Sequence, residues 1–152
     1  MASVLGDEID VLAKAKRALD ADYTPTEDEA YMSEQQLNYF RVLLLEWKKS
    51  ILSASEFTLQ SLQDGPIREP DLNDRASSET DWGIELRTRD RQRKLISKID
   101  AALKRIEDGS YGYCEETGEP ISLRRLDARP IATLSIEAQE RHERRERVYR
   151  DD

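Results

Sequence analysis

The sequence predicts a mostly α-helical protein: a long antiparallel coiled-coil hairpin, a small globular knob and a C-terminal helix. Three observations predict it. Leu37, Phe40, Leu44, Trp47, Ile51, Ala54 and Thr58 recur at alternating steps of three and four, the spacing of a coiled-coil seam. Gly65-Pro66, with Pro70 shortly after, breaks that pattern before a second long helical segment begins. Apolar residues make up 38% and charged residues 37%, which suits long exposed helices better than a compact globule.

Taken in order, residues 1–32 form an N-terminal segment expected to pack on the knob. Leu5, Ile9, Leu12, Lys16 and Leu19 fall at helical spacing, so a short helix is expected over Asp7 to Asp20. Ala21 to Tyr31 is acidic, holds Pro25 and reads as an irregular connector. The hairpin is expected over 33–108. Ser33 stands three residues before Gln36, the capping-box spacing, and Met32 with Leu37 can staple the helix start. Thirty helical residues reach about 45 Å. The tip is expected over 65–76, and the second helix starts at Asp71 to Asp74, where acidic side chains suit a helix N-terminus. Its apolar residues thicken toward the end, at Leu95, Ile96, Ile99, Leu103 and Ile106, and Asp90–Lys94 is one of several favourable i,i+4 pairs. Asp108-Gly109 ends it. Residues 109–135 are punctuated by Gly112, Gly118, Pro120 and Pro130 and form the knob. Residues 136–152 supply the C-terminal helix, charged and without a wide apolar face.

The formal net charge is -8, which repels phosphates and excludes tight direct DNA binding. One cysteine, Cys114, precludes an intrachain disulfide. No apolar run approaches the roughly 20 residues that span a bilayer. The acidic N-terminus lacks the basic region of a signal peptide. A cytoplasmic, monomeric protein with no membrane partner is expected. No P-loop, Rossmann glycine pattern or nucleophile elbow is present, so no enzyme is expected, and the lone His142 reads as a surface residue.

Cys114, Thr117, Ser135 and Ala138 stand at the spacing of a four-cysteine zinc finger, residue-x2-residue, seventeen between, residue-x2-residue. Four thiolates there would close a tetrahedral shell. Only one remains, so the knob is degenerate zinc-finger-like and no metal is expected. Cys114 reads either as an ordinary semi-buried cysteine or as a redox-reactive thiol. At the tip, Asp71, Asp74 and Ala76 form a D-x-x-D-x-A pattern that puts two carboxylates on one helix face. They either cap the helix or meet a metal ion or basic groups in a partner. The run Arg87 to Lys94 is basic within an acidic protein; it is either a solvated face or a docking stripe.

The residues Tyr31-Met32, Trp47, Asp71-x-x-Asp74-x-Ala76, Glu85-Leu86-Arg87-x-Arg89-Asp90-Arg91, Arg93-Lys94-Leu95-Ile96, Tyr111-Gly112-Tyr113-Cys114 and Arg124-Arg125-Leu126-x-Ala128-Arg129-Pro130 resemble the DksA family. The match runs from about Tyr31 to Ala138. The resemblance implies a transcription regulator that binds the secondary channel of RNA polymerase. It implies a tip that brings Asp71, Asp74 and Ala76 near the polymerase active centre, and docking through Arg87 and Arg91. It further implies destabilised promoter complexes, repression of ribosomal RNA promoters and joint action with ppGpp in the stringent response. The family's ppGpp positions match Leu95, Lys98, Arg129 and Gln139; the last stands where a basic residue is usual, and Lys94 and Arg125 lie near in the pattern. Beyond ppGpp as effector, no cofactor is implied. Thr117, Ser135 and Ala138 depart from the zinc-binding pattern, so Tyr113, Ile121, Leu126, Leu134 and Ile136 are expected to hold the knob by packing. Two other readings predict a similar shape. One is a Gre-like transcript-cleavage-promoting factor, whose tip acids hold a metal. The other is a structural coiled-coil adaptor, which an acidic tip preceded by Gly and two Pro does not favour.

Overall fold

The computed structural model describes the backbone of residues 4–17, 19, 23–64 and 72–151, and the side chains of 11–17, 19, 23–54 and 80–148. It contains helices α1 (Val4–Arg17), α2 (Glu34–Asp64), α3 (Leu72–Asp108), α4 (Leu123–Ala128) and α5 (Ile136–Asp151). No strand is present among the described residues; Tyr113 and Pro120 form one isolated antiparallel bridge. No described helix is long and apolar enough to cross a membrane. The architecture is the helical one that the periodicity predicts, a coiled-coil hairpin followed by a C-terminal helix.

Ser33 starts α2 as its spacing predicts. Its hydroxyl accepts from the Gln36 amide at 3.3 Å, which satisfies one of the orphan donors of the first turn. Gln36 does more than a capping box asks. Its side chain is fully buried; its Oε1 accepts from the Met32 amide at 2.8 Å, and its Nε2 donates to the Thr26 carbonyl at 3.2 Å and to Glu29 at 3.3 Å. One side chain thus ties the acidic connector to the start of the hairpin. α1 begins and ends three residues earlier than expected, and Lys14, Lys16 and Arg17 in its last turn suit the negative end of the helix dipole.

The other end of the hairpin stops where Gly109 adopts φ +84°. The Ser110 and Tyr111 amides both return to the Arg105 carbonyl, at 3.0 and 3.1 Å, closing a Schellman-type cap. The Gly65-Pro66 and Pro70 turn lies outside the described residues.

The chain divides into two compact units, residues 1–19 with 45–99 and residues 20–44 with 100–152. In the first, the buried apolar residues are Leu12 and Ala15 of α1, Trp47 and Ile51 of α2, and Leu95 and Ile99 of α3. In the second, Phe40, Leu43 and Leu44 of α2 and Ala102 and Ile106 of α3 are buried together with the knob's Tyr111, Ile121, Leu126, Ile131 and Ala132 and with Ala138 of α5. Phe40 links helix to knob directly: its ring lies 5.5 Å from that of Tyr111, whose hydroxyl donates to the Pro130 carbonyl at 2.7 Å.

The knob's core differs from the expected one. Ile121 and Leu126 are fully buried, but Tyr113 is 40% and Ile136 49% exposed. The alternation of short loop segments carries no periodicity from which to choose the inward residues, and Tyr111 and Ala138, each two positions away, take the inward places. A short helix, α4, also lies within the knob. Ser122 caps it by accepting from the Arg125 amide at 3.2 Å.

Candidate functional site

Of the tip residues, Asp74 and Ala76 belong to the first turns of α3. Asp74 and Ala76 are its third and fifth residues, so both have helical backbone; their side chains, and Asp71 entirely, lie outside the described residues. Further along α3, Arg87 and Arg91 are exposed, as are Arg89, Arg93 and Lys94. Asp90 sits among these cations. It pairs with Arg93 at 2.6 Å and Lys94 at 3.2 Å, and the Lys94 hydrogen bond, followed by its charge, holds the carboxyl below the usual range. Lys94 and Arg93 are thereby partly neutralised, while Arg87 and Arg91 present their charge to solvent.

Of the four remaining candidates, Leu95 and Lys98 belong to the first unit and Arg129 and Gln139 to the second. Leu95 is buried in the seam and Lys98 is exposed. Arg129 is exposed and closes α4, its amide donating to the Arg125 carbonyl at 2.7 Å. Gln139 is half-buried on α5 and donates to Glu143 at 3.4 Å. Arg125, a nearby cation in the sequence pattern, is committed elsewhere: its Nε donates to the Leu134 carbonyl at 2.8 Å and so holds the segment before α5.

The knob gathers the degenerate zinc positions. Cys114 is buried. Burial pushes its thiol up, but hydrogen bonds from the Thr117 hydroxyl and the backbone amides of Ser135, Thr117 and Glu116 outweigh it and bring the pKa down to about 6. The Ser135 hydroxyl accepts from the Ala138 amide at 3.2 Å, capping α5. The Thr117 hydroxyl and three backbone amides thus find their acceptor in the sulfur, and the Ala138 amide finds one in the Ser135 hydroxyl.

Sequence reasoning missed a clasp between the connector and this knob. The Tyr31 hydroxyl lies between the carbonyls of Gly112, at 2.6 Å, and Ile121, and burial pushes it up to about 12. Gly112 has φ +91°, and a Cβ there would meet Met32 Cε at 2.9 Å and the Tyr31 hydroxyl at 3.0 Å. The signal was the Tyr31-Met32 pair and the Tyr111-Gly112-Tyr113 run, visible as motifs but far apart in the chain.

Comparison with known proteins accounts for this combination. Residues 36–106 match the family described as "DnaK suppressor protein DksA, N-terminal domain", and residues 109–144 match "Prokaryotic dksA/traR C4-type zinc finger". The chain is 67% identical over 132 residues to the RNA polymerase-binding transcription factor DksA of Caulobacter vibrioides, covering 87% of this chain and 93% of that one. It is 43% identical over 125 residues to the protein of that name from Escherichia coli K12, covering 82% and 83%. The structure is similar to that of transcription factor DksA2 from Pseudomonas aeruginosa, with TM-score 0.71, 45% identity, and coverage of 92% of this chain and 98% of that one.

The second match implies a zinc ion, and the residues present do not fit one. A closed C4 shell needs four thiolates; here Cys114 is the single thiol, Ala138 is fully buried and has no donor atom, and Ser135 and Thr117 spend their hydroxyls on local bonds. No group of three or more His, Cys, Asp or Glu among the described residues is placed to hold a metal. With two family matches along its length and relatives 67% and 43% identical over most of it, the chain belongs to the DksA family, as a member that carries one of the four zinc-finger thiols.

Proposed function

We propose that this protein binds RNA polymerase and regulates transcription by entering the secondary channel with its hairpin. Arg87 and Arg91 dock on the polymerase, and Asp71, Asp74 and Ala76 act near the active centre to alter the lifetime of promoter complexes. The protein represses ribosomal RNA promoters in concert with ppGpp, which contacts Leu95, Lys98, Arg129 and Gln139, and it does so with a zinc-free knob. The observation that carries this reading is the 67% identity, across 87% of the chain, to a protein named an RNA polymerase-binding transcription factor. The chemistry of the residues supports it. Asp74 and Ala76 begin a helix of 37 residues, so they stand far along the chain from the knob.

In vitro transcription from a ribosomal RNA promoter tests the reading. Adding the protein with ppGpp should lower the transcript yield and shorten the promoter-complex half-life. Shortening of RNA in stalled complexes would instead indicate a cleavage-promoting factor, and no effect at all would indicate an adaptor.

A further inference from the structure

Gly83 stands inside α3 where packing does not ask for a glycine. A Cβ built there would meet no atom within 4 Å, and its φ is not in the left-handed region. Neither a close approach nor an unusual backbone therefore explains it. Glycine loses more backbone freedom on entering a helix than any other residue, so Gly83 is a local weakness in the helix.

Three features beside it act in the same direction. The first is propensity: Ser77, Ser78, Thr80, Asp81 and Trp82 are weaker helix formers than the Arg91 to Leu95 run that follows. The second is packing. Among the described residues of α3, none from 80 to 94 is buried, and the first that is buried is Leu95. Tertiary contacts, which supply most of a helix's stability in a protein, are thus thin around Gly83. The third is hydrogen bonding. The Thr88 hydroxyl donates back to the Ile84 carbonyl at 3.0 Å, a bond that competes for a backbone acceptor and favours bending. The Trp82 indole N–H is enclosed and has no partner among the described residues. An unmet donor of this kind is costly, and a change of helix direction beside it can relieve the cost.

We infer that α3 bends at Gly83, so that the turns carrying Asp74 and Ala76 change direction while Arg87 and Arg91 stay docked. The inference rests on the reading above, that the hairpin acts on polymerase, and deepens it: one helix carries a docking part and an effector part, with a bending point between them.

Hydrogen exchange on the free full-length protein tests the bend without polymerase. Gly83→Ala fits the open space and should slow amide exchange from Trp82 to Arg87 about fivefold, the equivalent of the ~1 kcal/mol between the two residues in a helix interior. Exchange from Ile96 to Ile106 should not change. Polymerase binding and promoter-complex lifetime then read the consequence. At matched occupancy, Gly83→Ala should shorten the half-life about fivefold less than the unaltered protein does, because the bent population falls by that factor. Its affinity for polymerase should stay within about twofold. Moving the glycine separates flexibility from the side chain at 83. Asp81 is exposed; in the Gly83→Ala background, Asp81→Gly should restore the effect and Asp81→Ala, equal in charge, should not. Unchanged exchange in Gly83→Ala, a full effect on promoter complexes despite slowed exchange, or equal rescue by the two Asp81 variants would overturn the proposal. Failure of the unaltered protein to bind polymerase would refute the reading above and with it the division into docking and effector turns, while slowed exchange would still establish the bend.

Discussion

Two residues in the knob decide how a C4-type framework stands with one thiol. Cys114 is the first. It is the protein's sole cysteine, so thiolate absorbance reports on it alone, and its titration midpoint should lie near 6 rather than near the ordinary 9. The sign of the stability effect follows from that direction. A thiol held down in the folded state stabilises the fold fully above about pH 9, and the contribution is lost as pH falls through about 6. Thermal midpoints should therefore rise across this window, and rise less in Cys114→Ser. Gly112 is the second residue. At φ +91° any side chain costs about 1–2 kcal/mol, and here the Cβ would also meet Met32 Cε at 2.9 Å. Gly112→Ala should cost about 2 kcal/mol or more in denaturant unfolding. Gly118, at φ +72° with open space around it, should cost only about 1 kcal/mol. Equal costs would mean that the Tyr31-Met32 clasp is not tight. Little of this was legible beforehand: spacing picked out Cys114, Thr117, Ser135 and Ala138, but not that hydrogen bonds would join the four to one another.

At the scale of elements, the hairpin was the legible part. Phe40, Leu44, Trp47 and Ile51 are buried, as the three-four spacing requires, and so are Leu95, Ile99 and Ile106. Periodicity survives in long helices because one face must stay dry over many turns. It failed for Gln36, a polar residue that is buried because three hydrogen bonds satisfy it, and for α4, whose six residues are too short to show a period. The knob is the element where composition and family disagree. The Tyr111–Pro130 bond, the Arg125–Leu134 bond and the buried Ile121 and Leu126 supply contacts that need no metal. Purified protein should carry far less than one zinc per chain by metal analysis. Chelators should leave helicity and thermal midpoint unchanged, since no metal-binding energy is linked to folding. Stoichiometric zinc, or unfolding by chelator, would contradict the donor-set reasoning.

Along the sequence, Asp71 and Asp74 precede the basic run Arg87 to Lys94, a division that the net charge of -8 conceals. The positions proposed for ppGpp fall two in each unit: Leu95 and Lys98 in the first, Arg129 and Gln139 in the second. Arg suits bidentate phosphate contact, and Lys98 supplies a second cation, but Gln139 is neutral and already donates to Glu143. Gln139→Lys should therefore strengthen the dependence of repression on ppGpp, while Lys98→Ala and Arg129→Ala should remove it and leave ppGpp-independent repression. Unchanged ppGpp titration curves for both alanine variants would refute the site. The partner itself lay beyond composition and periodicity, which describe what a chain does to itself; only the family motifs reached it. The most direct measurement compares the unaltered protein with Asp74→Asn in polymerase binding and in ribosomal-promoter transcription. The variant should bind polymerase within about threefold, roughly 0.7 kcal/mol, and lose the transcriptional effect. Normal regulation by Asp74→Asn would contradict the account, because the acid at the start of α3 would then have no part in it.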